Sequence, residues 1–204
     1  MSASSDSARV PGVILGIDPG TNLMGYALIA VTGKKPSMLA LGVIELGKIE
    51  NHYVRLRRIH DRITMLVEQY RPDALAVEAP VFGKNVQSML KLGRAQGVAI
   101  AAALARDIPV SEYEPRRIKQ AIVGNGAASK EQVRTMLVRI LGLDSETLPP
   151  QLDSTDALAA AMCHYYEVTS PFPRASASTS SLGRKSRRSS SWADFVASNP
   201  SRVK

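Results

Sequence analysis

Four carboxylates stand where chemistry is most easily built. Asp18 ends GVILGID (12–18), an apolar, β-branched run that breaks at a Pro-Gly turn. Glu78 ends ALAVE (74–78), a second apolar run, and Pro80 removes a backbone donor just beyond it. Asp153 and Asp156 open an alanine-rich stretch and, three residues apart, face one side of a helix start. If the two apolar runs are neighbouring strands, Asp18 and Glu78 lie together at their C-terminal ends, the usual place for a site in an open α/β sheet. Carboxylates brought together repel one another unless cations neutralise them. Hard oxygen ligands suit Mg²⁺ or Mn²⁺, and two such ions about 4 Å apart support in-line attack of water on a phosphodiester. Each acid also has a plain structural reading. Asp18-Pro19-Gly20 is a good turn, and Asp153 and Asp156 complement a helix N-terminus. Glu78, at the exit of a buried strand, is the hardest to explain that way.

The elements that must hold these acids follow from hydrophobic period. GYALIAV (25–31) and MLALGVIEL (38–46) come after the first strand at hairpin spacing, with GKKP (33–36) as a turn, so three antiparallel strands are expected. From Val54 the period becomes helical. Leu56, Ile59, Ile63, Leu66, Val67 and Tyr70 line one face, and Arg57, Arg58, Asp61, Arg62 and Glu68 the other, until Pro72. ALAVE is then a buried strand, 85–105 a long helix, and PVSEY (109–113) a fifth strand. Ser129 and Gln132 make a capping box for a helix with Val133, Met136, Leu137, Ile140 and Leu141 inward. A last helix runs from Ser154 to about Glu167. The order βββαβαβ with trailing helices predicts an α/β sandwich on a mixed sheet.

Composition narrows the setting. Hydrophobic residues are 45% and charged residues 22% of 204, enough for one domain with a real core. The single cysteine, Cys163, excludes an intrachain disulfide and suits a reducing compartment. The longest apolar run, Val98 to Ala105, is far short of the roughly 20 residues that span a bilayer. The opening MSASSDSARV lacks the apolar stretch of a signal peptide. A soluble cytoplasmic protein without a membrane partner is therefore expected. The net charge is +8, but residues 171–204 hold +6 of it, leaving +2 for the body. That serine-rich segment is too poor in apolar residues to offset its ordering entropy. The expected organisation is a flexible leader (1–11), one α/β domain (12–168) and a disordered basic tail (169–204), whose RKSRR cluster either touches phosphates or merely solubilises.

Several segments carry a resemblance. LGIDPGTNLMGYALI, AVEAPVFGKN, KLGRAQGVAIAAA, YEPRRIKQAIVGNGAASKEQV and LDSTDALAAAMCH occur in the order seen in RuvC-type Holliday-junction resolvases. The match spans roughly residues 13–166 without a large gap. A GIDxGT motif alone also occurs in actin-like and chaperone ATPases, whereas DxxDALA together with AVEA and the GNG…K segment is specific. The resemblance implies a ribonuclease-H-like mixed five-stranded sheet flanked by helices, and a homodimer. It implies two Mg²⁺ per active site, replaceable by Mn²⁺. The implied reaction is paired symmetric nicking of four-way DNA junctions that leaves 5′-phosphate and 3′-hydroxyl ends, in DNA recombination and repair. A branch-migration complex of the RuvA and RuvB type is the implied partner. The family's metal-binding acids fall on Asp18, Glu78, Asp153 and Asp156, and two lysines near the scissile phosphate fall on Lys119 and Lys130.

One position departs from the family pattern. The aromatic that stacks on a junction base stands three residues after the catalytic glutamate, where this chain has Val81; its aromatic is Phe82, one later. Either the loop shifts by one residue and Phe82 stacks, a contact worth roughly 1–3 kcal/mol, or Phe82 packs into the domain. Lys84, Lys91 and Arg94 after Glu78, and Arg116, Arg117 and Lys119 after the fifth strand, are candidate backbone-positioning contacts or simply solvated helix faces. GNG at 124–126 suits either a close approach to phosphate or a turn. Cys163 and His164 are expected in the core rather than at a metal.

Gly93, Gly97 and Ala101, four apart on the 85–105 helix, would let a second helix approach closely and so suggest a two-fold interface; the alternative is that they pack on the chain's own sheet. Three other functions compete. An actin-like ATPase needs two such domains, and a non-catalytic binder has no need of all four acids. A ribonuclease-H-like nuclease acting on another substrate, such as RNA–DNA hybrid, is the closest rival.

Overall fold

The computed structural model describes residues 12–80, 83–144 and 152–170. Within them β1 (Val13–Asp18), β2 (Leu23–Thr32) and β3 (Lys35–Glu45) form an antiparallel meander. α1 (His52–Tyr70) leads to β4 (Ala74–Glu78), α2 (Val86–Leu104) to β5 (Val110–Tyr113), and α3 (Pro115–Val123), α4 (Lys130–Leu141) and α5 (Leu152–Thr169) follow. The sheet order is β3-β2-β1-β4-β5, with β4 parallel to both β1 and β5. The expected mixed five-stranded sheet flanked by helices is what the chain forms.

Strand alternation divides the core. Leu15, Ile17, Met24 and Leu28 point to one face, where Ile59, Ile63 and Leu66 of α1 and the alanines of α2 cover them. Ile14, Ala27 and Ile29 point to the other, under α3, α4 and α5. Fully buried residues such as Leu15 and Ile17 each contribute about 1.5–3 kcal/mol of burial. At the end away from the acids, Asp73 accepts from Gly12 N (2.8 Å) and Val13 N (2.9 Å), fixing where β1 enters the sheet.

Two glycines set the depth of α5. A Cβ on Gly16 would meet the Ala157 carbonyl oxygen at 2.1 Å, and one on Gly25 would meet that of Asp153 at 2.0 Å. The helix backbone therefore lies directly on β1 and β2, and its run of small residues (Ala157, Ala159, Ala160, Ala161) is wholly buried.

Helix ends follow the sequence signals, with adjustments. α1 starts two residues before Val54, because the Asn51 side chain accepts from Tyr53 N (2.8 Å) and Val54 N (3.3 Å). It closes at Arg71 in the left-handed region, ahead of Pro72. The Ser129–Gln132 capping box forms in both directions. Ile140, expected inward on α4, is 37% exposed, and the buried line is Val133 and Leu137. α5 begins at Leu152 rather than Ser154, so Asp153 lies inside its first turn. The small-residue line of α2 does not pack on the sheet: Gly93, Gly97 and Ala101 are exposed, a Cβ on either glycine meets nothing within 4 Å among the described residues, and Ala95, Ala99, Ala102 and Ala103 are buried instead.

Candidate active site

Strand pairing brings the first two acids together. Ile17 pairs with Val77 in the parallel β1–β4 ladder, so Asp18 and Glu78, one residue on, leave the sheet side by side. α5, lying close on Gly16 and Gly25, carries Asp156 to the same place. Carboxylate oxygens of Asp18, Glu78 and Asp156 all fall within 4.8 Å of one another, and all three residues are half-buried. Asp153 is not in that trio, but its charge adds to the rise at Asp18.

The electrostatics are those of a cluster short of positive charge. Burial, then the charges of Glu78 and Asp156, push Asp18 up to about 8, against the opposing pull of Lys130. Burial and the Asp156 charge push Glu78 up to about 7. Lys130 pairs with Asp156. Burial works against the Lys130 ammonium, but the hydrogen bond to Asp156 and the charges of Asp156, Asp18 and Glu78 outweigh it and raise its pKa. One ammonium beside three converging carboxylates leaves the site ready for divalent cations bound through hard oxygen ligands. The donor set fits such ions.

The remaining candidate residues fall into separate positions. Lys119, half-buried on α3, is close enough for its charge to oppose the rise at Glu78. Lys84 is exposed just before α2. Lys91 and Arg94 are exposed on α2, and their charges reach His52 at the start of α1. Arg116 lies over the turn at Gly126, where a Cβ would meet its Cγ at 2.6 Å. Arg117 is half-buried in an ion pair with Glu167, which commits its charge inside the fold. Val81 and Phe82 lie outside the described residues, as do the leader (1–11) and residues 171–204 of the tail.

The turn reading of Gly124-Asn125-Gly126 holds. Gly124 is the left-handed cap of α3, Gly126 N donates to Gln120 Oε1 (3.2 Å) and Ala127 N to Asn125 Oδ1 (3.0 Å), so these donors are already used. Cys163 is buried, which pushes its thiol up to about 12. His164 Nδ1 shares a hydrogen bond with the Tyr113 hydroxyl (2.7 Å). Both belong to the core.

Sequence reasoning missed three things that shape the site. α3, which carries Lys119, was not anticipated, although Pro115 at its first turn, Ile118 and Ile122 four apart, and Gly124 at its end are helix signals. The roles of Gly16 and Gly25 had no signal, because close approach depends on which helix lies above them. Arg55 was not singled out, yet it binds the loop that follows Asp18.

Comparison with known proteins fits this geometry. The family model "Crossover junction endodeoxyribonuclease RuvC" matches residues 14–164. A protein of that name from Porphyromonas gingivalis is 56% identical over 192 residues, covering 94% of this chain and 97% of its own. One from Bacteroides fragilis is 55% identical, covering 94% and 96%. A solved structure described as T. thermophilus RuvC in complex with Holliday junction substrate superposes with a TM-score of 0.70 at 36% identity, over 76% of this chain and 94% of that one. The yeast mitochondrial Holliday junction resolvase Ydc2 shares the fold at a TM-score of 0.56 and 14% identity.

Proposed function

This chain belongs to the RuvC family of crossover junction endodeoxyribonucleases, and on that premise we propose how its carboxylate cluster cuts DNA. The protein is a nuclease that resolves four-way junctions. Asp18, Glu78 and Asp156, with Asp153 as the outer member, would hold two Mg²⁺ ions, for which Mn²⁺ could substitute. When bound, the ions would neutralise the scissile phosphate and lower the pKa of a water. The oxygen of a water would bond to phosphorus as that water gives up a proton, the P–O3′ bond would break, and the departing 3′ oxygen would take up a proton, leaving 5′-phosphate and 3′-hydroxyl ends. Lys130 and Lys119 act as point charges for the phosphate oxygens. Lys84, Lys91, Arg94 and Arg116 position the DNA backbone without reading bases, and Phe82 is the proposed stacking aromatic.

Paired nicks need two sites related by a two-fold axis, and a homodimer supplies them. The exposed Gly93–Gly97–Ala101 line of α2 supports an interface there. A cytoplasmic location, a RuvA and RuvB type branch-migration partner, and a nuclease domain of 12–168 between a leader and a basic tail complete the reading. No helix among the described residues is long and apolar enough to cross a membrane.

The observation that carries this reading is the trio of carboxylate oxygens within 4.8 Å at the end of two parallel strands. It is tested by offering purified protein and Mg²⁺ a four-way junction, plain duplex and RNA–DNA hybrid. Symmetric nicking confined to the junction is expected. Preferential cleavage of the hybrid would move the protein to the rival reading.

A further inference from the structure

The β1–β2 ladder ends at the Asp18–Gly25 pair, and the chain then crosses four residues, Pro19 to Asn22, before β2 begins. That turn abuts the carboxylate cluster and is held from behind. Asn22 O accepts from Leu46 N (2.8 Å) and Gly47 N (2.9 Å), joining it to the loop between β3 and α1. Arg55, on the first turn of α1, spans both loops. Its Nη1 donates to Thr21 O (2.9 Å) and Asn22 Oδ1 (3.2 Å), its Nε to Ile49 O (2.5 Å) and its Nη2 to Gly47 O (3.4 Å). The guanidinium is half-buried, and no carboxylate among the described residues pairs with it. A planar cation spent on three carbonyls and one amide oxygen is a fixture for backbone, since its rigid fork reaches four acceptors that a flexible ammonium cannot hold together.

We propose that Arg55 is a positioning residue of the active site. By clamping the Pro19–Asn22 turn to the β3–α1 loop, it fixes Asp18 within the carboxylate cluster and so sets the affinity of that cluster for divalent cations. Gly20 makes the turn a sensitive point. A Cβ there would meet the Leu23 carbonyl oxygen at 1.7 Å, so the loop is closed tightly on itself and a shift at Thr21 passes straight back toward Asp18. The inference rests on the metal-dependent nuclease reading.

The test compares wild type with Arg55→Ala, Arg55→Lys and Asn22→Ala, the last removing one exposed acceptor in case loss of the arginine prevents folding. Three quantities are measured: the Mg²⁺ concentration that half-saturates junction cleavage, Mn²⁺ binding to the protein without DNA by electron paramagnetic resonance, and junction affinity in EDTA. Arg55→Ala should raise the half-saturating Mg²⁺ and weaken Mn²⁺ binding about tenfold, as loss of outer support for metal ligands does. Arg55→Lys should behave similarly and Asn22→Ala should show a smaller shift in the same direction. Junction affinity in EDTA should match wild type, and excess Mg²⁺ should restore the cleavage rate. Metal titrations that overlay wild type in every folded variant would overturn the proposal, even if melting temperature falls, as would cleavage that excess Mg²⁺ cannot restore. Failure of wild type itself to cleave junctions would instead overturn the nuclease reading.

Discussion

Asp18 stands directly opposite Gly25 in the β1–β2 ladder, and Gly25 is where the backbone of Asp153 comes down onto the sheet. Asp18 and the helix that carries Asp153 and Asp156 are thus registered through a residue with no side chain. Gly25→Ala must push the start of α5 away from β2, because a Cβ would lie 2.0 Å from the Asp153 carbonyl oxygen. Overpacking of this kind costs about 1–3 kcal/mol. The melting temperature should fall, and cleavage measured at a temperature where the variant is folded should fall as well. An unchanged rate in folded Gly25→Ala would show that the placement of α5 does not govern the site.

The raised pKa values predict how the metal-free protein responds to pH. Asp18 titrates at about 8 in the fold against 3.8 ordinarily, and Glu78 at about 7 against 4.5. Between the unfolded and folded values the native state binds more protons than the unfolded one, so stability falls as pH rises. The loss begins near the ordinary carboxylate range and is complete above the folded values. In EDTA the melting temperature should therefore be higher at pH 5.5 than at pH 8.5, with a smaller difference in Asp18→Asn. Metal binding must displace these protons, so apparent Mg²⁺ affinity should strengthen through the same range. A pH-independent metal affinity would contradict the electrostatics described.

One variant probes both the observed pairing of Lys130 and its proposed role in cleavage. Without metal it pairs with Asp156; during cleavage it is the proposed phosphate contact. Lys130→Met should lower the melting temperature in EDTA, since Asp156 loses its partner, and should reduce junction cleavage by roughly 100-fold, as loss of a charge-stabilising donor does. Normal cleavage by Lys130→Met would remove it from the mechanism.

The exposed α2 line predicts assembly. A Cβ at Gly97 meets nothing within 4 Å among the described residues, so Gly97→Leu should fold normally yet sediment as a monomer at micromolar concentration and lose paired nicking. A folded wild-type monomer that still makes paired nicks would show that no dimer is needed.

Much of this was legible in the sequence for identifiable reasons. Asp18 and Glu78 could be placed because each ends a short apolar strand, and parallel neighbours put such ends together. α4 was readable because its capping box is local. The separation of Asp153 from the tight trio was not, since a spacing of three puts two side chains on one helix face without saying how deep that face sits. The depth comes from Gly16 and Gly25, residues far away in sequence. Arg117 read as one more surface cation because its partner, Glu167, lies fifty residues away on another helix. Arg55 was hidden for the same reason: its acceptors are mostly backbone carbonyls, which no side-chain pattern advertises.

The most direct test separates cutting from holding. On the proposed reading, binding rests on basic residues and phosphates, whereas cutting rests on Asp18, Glu78 and the ions they would bind. Four-way junction should be titrated with wild type, Asp18→Asn and Glu78→Gln in EDTA, and cleavage then started with Mg²⁺. Both variants should bind the junction within about threefold of wild type, or slightly tighter for the lost negative charge, while cleavage falls by more than roughly 100-fold. Mg²⁺-dependent symmetric nicking by purified Asp18→Asn at a rate near that of wild type would contradict the account.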